Sequence, residues 1–563
     1  MFLRSLIVCL NLFYLNSATF VKVDTPYGTV IGKHVVKLLT GNSAEVFLGI
    51  PYAQPPLGDL RFEKPEPIEP WNKTLSALKY SLGCSTLFAL ESSEDCLTIN
   101  IARPVTPSPD PKGYPVMLFI HGGAFYQGSS WEYHYSGPVD KILPHGVIFV
   151  SINYRLGPWG WLSTGTDEAP GNMGLWDQLE ALKFHKKIIS SFGGDPERIT
   201  IFGESAGGVS VSWLTLMPQT DGLFAKAISM SGSSLAIWGH NEHVIESSEY
   251  VLNKLCPEFN GTEAVNCLKT KSQDEILNSL RFKMPTIIRR DDPNIVDFGP
   301  RLGGAKDLIP NGDLQAAIKQ APKRPHLIGF NSLDMLTFAI PNPYIPPTLK
   351  AEIPIPKLSS LLLFDKTYFS TIVKKVFGKT SIFGETNATK ISESIVDYYE
   401  KNVAANYTIT GWIQAYLQCL SDIDFYVPAI REARYKAAAG WSNIYMYRYS
   451  YANPLIQLVL DPRIKGSPHA FDLFNFFDSV LGIPEPPPTL IDLKVRKNFV
   501  DLFLDFVKGN DMEISPVTEN QAPYIDVNVE NSILPDFAPK TVQFWDDLGK
   551  EFGFDWPSGD IIN

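Results

Sequence analysis

Short, nearly continuous apolar runs recur along the chain at residues 116–120, 147–152, 199–202, 227–230, 326–330 and 444–449. Runs of this length without polar alternation are what strands covered on both faces require. Between them lie helical patterns: Leu175, Leu179, Leu182 and Ile189 fall near helical spacing just before Gly193-Gly194. Strands alternating with helices predict the α/β class, with a large, mostly parallel sheet and helices on both faces. In such sheets ligands bind outside the carboxyl ends of the strands, so chemistry is expected directly after the apolar runs. There is no internal repeat. The proline-rich stretch 484–488 is predicted to be a surface loop, and 341–356 to be irregular.

Two of the runs end in chemically suggestive sequences. The run 199–202 leads into Gly203-Glu204-Ser205-Ala206-Gly207-Gly208, a G-x-S-x-G pattern with a strand before it and helix-compatible sequence after it. A serine at so sharp a turn has a strained backbone, and glycines two residues to either side avoid collision. The helix that follows points its amides and positive dipole end at the same spot. The bland alternative is a structural serine in a tight turn. The run 115–120 ends in His121-Gly122-Gly123-Ala124-Phe125, where small residues let backbone amides approach a substrate carbonyl. A serine nucleophile needs a general base, usually a histidine oriented by a carboxylate, in the chain order Ser, acid, His. After Ser205 the histidines are His240, His243, His326 and His469. The first two come too early to leave room for a further strand and an acid. His326 begins a predicted strand, which favours packing or hydrogen bonding. His469 remains as the candidate base. Asp334, the only carboxylate of Asn331-Ser332-Leu333-Asp334-Met335 after the run 326–330, is the candidate acid. A loop histidine and a surface aspartate are the alternatives.

Composition narrows the setting. The 563 residues are 44% hydrophobic, ample for a large core, and a net charge of −11 argues against a nucleic-acid partner. Arg4, the apolar run 6–15 and Asn16-Ser17-Ala18 read as a signal peptide over residues 1–18, followed by one catalytic domain over 19–563. The predicted destination is outside the cell, with no membrane anchor. Of six cysteines Cys9 falls in the predicted leader; Cys84 and Cys96 are close in sequence, as are Cys256 and Cys267, and pairing neighbours closes two small loops and leaves Cys419 single. Sequons at Asn72, Asn260, Asn387 and Asn406 agree with secretion. No metal-ligand spacing and no nucleotide-binding glycine loop stand out, so no metal or cofactor is expected.

Taken together these segments resemble the type-B carboxylesterase/cholinesterase family of α/β-hydrolases. The densest likeness runs from Asn153-Tyr154-Arg155-Leu156-Gly157 through Gly171-Asn172-Met173-Gly174 and Phe192-Gly193-Gly194-Asp195-Pro196 to Ser205. Further signatures are Ser93-Glu94-Asp95-Cys96-Leu97 and Gly49-Ile50-Pro51-Tyr52-Ala53 with Leu60-Arg61-Phe62. The resemblance implies an α/β-hydrolase fold and hydrolysis of a small-molecule ester. It implies a triad of Ser205, Asp334 and His469, and an oxyanion hole from the amides of Gly123, Ala124 and Ala206. It also implies the disulfides Cys84–Cys96 and Cys256–Cys267, pocket positions at Phe125, Trp238 and Phe338, and structural ion pairs Arg61–Glu94 and Arg155–Asp177. Three departures stand out. Asp334-Met335 replaces the family's usual glutamate and glycine. Ala124 replaces a glycine, and is expected to serve if its φ is negative. The segment between Cys84 and Cys96 has no tryptophan to hold a quaternary ammonium, which argues against acetylcholine.

Overall fold

A computed structural model of the chain describes residues 14–15, 19–87, 91–167, 169–280, 293–294, 296–302, 308, 313–339, 364–403, 409–454 and 464–562. Among the described residues fourteen strands join in one sheet. Its body consists of β1 (Gly28–Lys37), β2 (Ser43–Pro51), β3 (Thr98–Arg103), β4 (Tyr114–Ile120), β5 (Ile148–Ile152), β6 (Gly194–Glu204), β7 (Lys226–Met230), β8 (His326–Asn331), β9 (Ile444–Tyr449), β10 (Tyr524–Val527) and β11 (Ser532–Leu534). Across the sheet they lie in the order β1-β2-β3-β5-β4-β6-β7-β8-β9-β10-β11. Every neighbouring pair from β5 to β10 is parallel. The outer pairs β1–β2, β2–β3, β3–β5 and β10–β11 are antiparallel. The short strands Tyr14–Leu15, Phe20–Thr25 and Leu75–Ser76 add to β1 at one edge.

Each apolar run lies on a strand of the parallel stretch, β4 through β9. The reason is visible in β4. Val116, Leu118 and Ile120 enter one hydrophobic core, while Met117 and Phe119 enter the other. Successive side chains of a strand face opposite sides, so a sheet covered on both faces demands apolar residues at every position. On the first face pack α1 (Met173–Ile188), α2 (Ala206–Leu216) and α3 (Val427–Ala438), through residues such as Leu179, Trp213 and Ile430. On the second packs α4 (Leu490–Lys508), through Phe499 and Phe503. The helical pattern running to Ile189 divides in two: α1 stops at Ile188, a 3-10 turn spans Ile189–Phe192, and Gly193 closes it at φ 79°. That left-handed value suits glycine.

The predicted surface loop 484–488 begins in a two-residue hairpin, pairing Pro484 with Ser479, and then exposes Pro487 and Pro488. It ends at Thr489, which caps α4 in a reciprocal pair with Asp492. Cys84–Cys96 and Cys256–Cys267 are bonded, and Cys419 is buried and unpaired. Asn72, Asn260 and Asn387 are exposed. Asn406 and the segment 341–356 lie outside the described residues, and of the predicted leader 1–18 only the backbone of Tyr14–Leu15 is described. Among the described residues no helix is long and apolar enough to cross a membrane.

Candidate active site

The chain turns sharply where β6 meets α2, and Ser205 sits at that turn with φ 59° and ψ −124°. This is a strained conformation for a residue with a Cβ. The flanking glycines make it possible. A methyl at Gly203 would lie 2.4 Å from the carbonyl oxygen of Gly207, and one at Gly207 would lie 2.0 Å from that of Ile120. The turn is anchored by the Ser205 N–H donating to Met230 on β7 at 2.9 Å. Ser205 itself is only 8% exposed.

Asp334 and His469 meet although 135 residues separate them. His469 Nδ1 lies 2.8 Å from Asp334 Oδ1. The second carboxylate oxygen accepts the Asn331 N–H at 3.1 Å, and the Ser231 side chain also hydrogen-bonds this carboxylate. The loops carrying acid and base are stitched together. Leu333 N–H donates to the Ser467 carbonyl (3.0 Å), Ser467 N–H to Ser332 Oγ (2.8 Å), and Thr337 Oγ1 to the His469 carbonyl (3.1 Å). Gly466, at φ 147°, permits the approach, because a methyl there would meet Leu333 Cβ at 2.4 Å. The shorter reach of aspartate is thus met by close docking of the two loops.

The site is rich in buried carboxylate. Glu204 Oε1 lies 3.0 Å from His469 Nε2, yet neither atom has a hydrogen-bond partner among the described residues. Burial pushes Glu204 up to about 8, against the pull of His469, and burial pushes Asp472 up to about 6. Burial also raises Asp334, in part offset by its bond to His469. For His469, burial works downward, but Glu204 and then Asp334 outweigh it, and the imidazole is raised.

The loop after β4 adopts left-handed backbone at Gly123 (φ 112°), Ala124 (φ 54°) and Phe125 (φ 60°). The condition set for Ala124, a negative φ, is not met, so only its amide, free of backbone hydrogen bonds among the described residues, speaks for the oxyanion role. Alanine bears the left-handed cost, about 1–2 kcal/mol, because neighbouring contacts hold the loop. Gly123 O accepts from the N–H groups of Tyr126 and Gln127 (3.0 Å each), and Phe125 O accepts from Gly157 N–H at 2.8 Å. Among the described residues the N–H groups of Gly123 and Ala124 make no backbone hydrogen bond. Ala206 N–H heads α2, where no intrahelical partner exists. Beside the loop, Tyr154 OH donates to the His121 carbonyl at 2.8 Å, and burial holds His121 down to about 4, leaving it neutral.

The three aromatic positions separate. Phe338 lies 5.0 Å from the His469 ring and stacks parallel to Phe425. Trp238 is buried against Phe425 and donates Nε1–H to the Asp424 carbonyl at 2.8 Å. Phe125 is fully buried and edge-on to Trp161. Phe425, 4.9 Å from His469, escapes a reading of the sequence, since it comes from a π-helical turn, Asp422–Tyr426, with no motif to mark it. Glu204, Ser231 and Asp472 escape it too. Glu204 lies inside the serine motif, which makes it the findable one of the three. The ion pairs Arg61–Glu94 (2.6 Å) and Arg155–Asp177 (2.7 Å) are both buried and both two-pronged.

Comparison with known proteins gives the family of the chain. Residues 19–545 match the model of the carboxylesterase family. Gut esterase 1 of Caenorhabditis briggsae is 34% identical over 95% of this chain and 93% of its own length. Liver carboxylesterase 1F of Rattus norvegicus is 30% identical over 97% of both chains. Cholinesterase of Mus musculus is 31% identical over 93% of this chain and 86% of its own. A solved PNB esterase superposes with a TM-score of 0.72 at 26% identity, over 93% of this chain and 99% of that one. The sheet is that of an α/β-hydrolase, and the chain belongs to the carboxylesterase family, a carboxylic ester hydrolase acting on small-molecule esters.

Proposed function

We propose that the protein is a secreted carboxylesterase of broad carboxylester specificity in which Ser205, His469 and Asp334 form the catalytic triad. The observation that carries the reading is the 2.8 Å bond from His469 Nδ1 to buried Asp334, with His469 Nε2 3.0 Å from Glu204, the residue before a serine on a strained elbow. Asp334 holds the imidazole so that Nε2 is free to take a proton. Ser205 attacks the ester carbonyl as Nε2 takes its proton. The amides of Gly123, Ala124 and Ala206 receive the oxyanion. The alcohol leaves with the proton from His469, and water then cleaves the acyl-enzyme by the reverse transfers. Phe125, Trp238 and Phe338 are proposed as pocket residues; contact with the His469 ring supports Phe338 most directly. Removal of a leader at residues 1–18, a single domain over 19–563 and glycans on Asn72, Asn260, Asn387 and Asn406 complete the proposal; two disulfides and three exposed sequons support passage through an oxidising compartment.

Two measurements test it. The base works only when neutral, and the raised His469 keeps its proton to higher pH than an ordinary imidazole. The acid limb of kcat/KM for a short-chain aryl acetate is therefore expected above about pH 6.5. A limb below that value removes His469, in this environment, from the role. Aryl acetate is also expected to exceed acetylcholine in kcat/KM by at least about tenfold, the worth of one exposed to partly buried cation–π contact. Equal rates would show that the missing tryptophan is replaced by another ammonium site.

A further inference from the structure

Behind the nucleophile elbow lies a second set of polar side chains that the ester chemistry does not use. Glu432 and Lys436, one turn apart on α3, and His326, at the start of β8, are fully buried. Lys436 Nζ directs its three protons to Glu432 Oε1 (2.6 Å), Thr215 Oγ1 (2.8 Å) and His326 Nδ1 (2.8 Å). With Nδ1 accepting, His326 carries its proton on Nε2 and donates it to Ser229 Oγ at 2.9 Å. Ser229 donates in turn to the carbonyl of Gly208 at 3.2 Å. Glu432 Oε1 also accepts from Ser212 Oγ (2.8 Å), and Oε2 from Ser233 Oγ (2.5 Å). The Ser234 N–H closes the circuit on Ser212 Oγ at 3.0 Å. Burial first, and Lys436 second, hold His326 well below the usual imidazole range, consistent with a neutral ring between the cation and Ser229.

The cluster joins the elements that set the reacting groups. Gly208, Ser212 and Thr215 lie on α2, the helix that begins immediately after Ser205. Ser233 and Ser234 lie on the loop that follows β7. That loop also carries Ser231, held at a left-handed φ of 45° while its side chain hydrogen-bonds Asp334. It carries Gly232 as well, where a methyl would fall 2.4 Å from the Ser205 carbonyl oxygen. A serine keeps such a backbone only where its surroundings over-determine it. A buried ion pair gains little stability over apolar residues of equal volume, so stability alone is a poor reason for this one.

We propose that Glu432 and Lys436 are positioning residues: their pair locks the 231–234 loop to α2, so that Ser231 meets Asp334 while Gly232 seats against Ser205. The inference rests on the triad reading above. The test is steady-state hydrolysis of a short-chain aryl acetate by the full chain carrying Glu432→Leu with Lys436→Met, a pair that removes both charges at similar volume. The variant is expected to fold, with kcat lower by about tenfold or more and KM within about threefold of the parent. In a Ser231→Ala background the same double replacement is expected to lower kcat by less than about threefold, because the contact through which it acts is already gone. A folded double variant with unchanged kcat overturns the inference, and so does an equal loss in both backgrounds. If the double variant does not fold, Ser233→Ala, which deletes one hydroxyl, must still lower kcat by about threefold; no loss overturns the inference. Asp334→Asn measured alongside separates the two readings. An active Asp334→Asn sinks the triad, whereas an inactive one beside a fully active double variant sinks only the positioning role.

Discussion

Ser205→Ala is expected to lower kcat for aryl acetate hydrolysis by about 10⁵–10⁶-fold, leaving the residual rate that oxyanion donors and binding alone support. The size of the loss follows from the mechanism, because no acyl-enzyme forms without the hydroxyl. The fold should be untouched. Alanine keeps the Cβ, so the strain at φ 59° and ψ −124° is the same in both proteins. The elbow's anchors are backbone groups: Ser205 N–H to Met230 O, and Val209 N–H to Ser205 O, each at 2.9 Å. Circular dichroism and the melting temperature should therefore match the parent while turnover disappears. Equal activity in the two proteins would move the nucleophile elsewhere. Only a variant that is folded and inactive separates a nucleophile from a structural serine in a tight turn.

Asp334→Asn is expected to cost about 10³–10⁴-fold in kcat with little change in KM. The carboxylate faces Nδ1 of His469 at 2.8 Å, so Nδ1 carries the proton and Nε2 is left basic. An amide of the same size can present an N–H there. The imidazole then accepts at Nδ1, its proton moves to Nε2, and the base is lost with the geometry intact. The aspartate is fully buried and also accepts the Asn331 N–H at 3.1 Å, so the loop has reason to stay in place after substitution. A loss of less than about tenfold would move the acid elsewhere, and Glu204, 3.0 Å from Nε2, would be the group to test next.

The chain itself determines a good deal of this protein. A strand buried on both faces must be apolar at every position, and that local rule marks β4 through β9 in the sequence. A serine at a strand-to-helix turn needs glycines beside it, and the collisions at Gly203 and Gly207 show why the motif is written as it is. The neighbouring cysteines pair as their spacing suggests. For Gly203 and for the cysteine pairs the cause lies within about a dozen residues of its effect, whereas Gly207 answers to Ile120 on a neighbouring strand.

Other features exist only because distant segments are brought together. The order of the sheet, with β5 outside β4, is a matter of crossovers that no single strand encodes. The left-handed Ala124 contradicts what an alanine prefers alone; hydrogen bonds at Gly123 and Phe125 impose it. Phe425 reaches His469 from a π-helical turn, and Glu432 and Lys436 reach the nucleophile helix from α3. Periodicity gives a residue's face on its own element. Which element that face meets, and whether a buried charge finds its partner there, is settled by the packing of helices on the sheet.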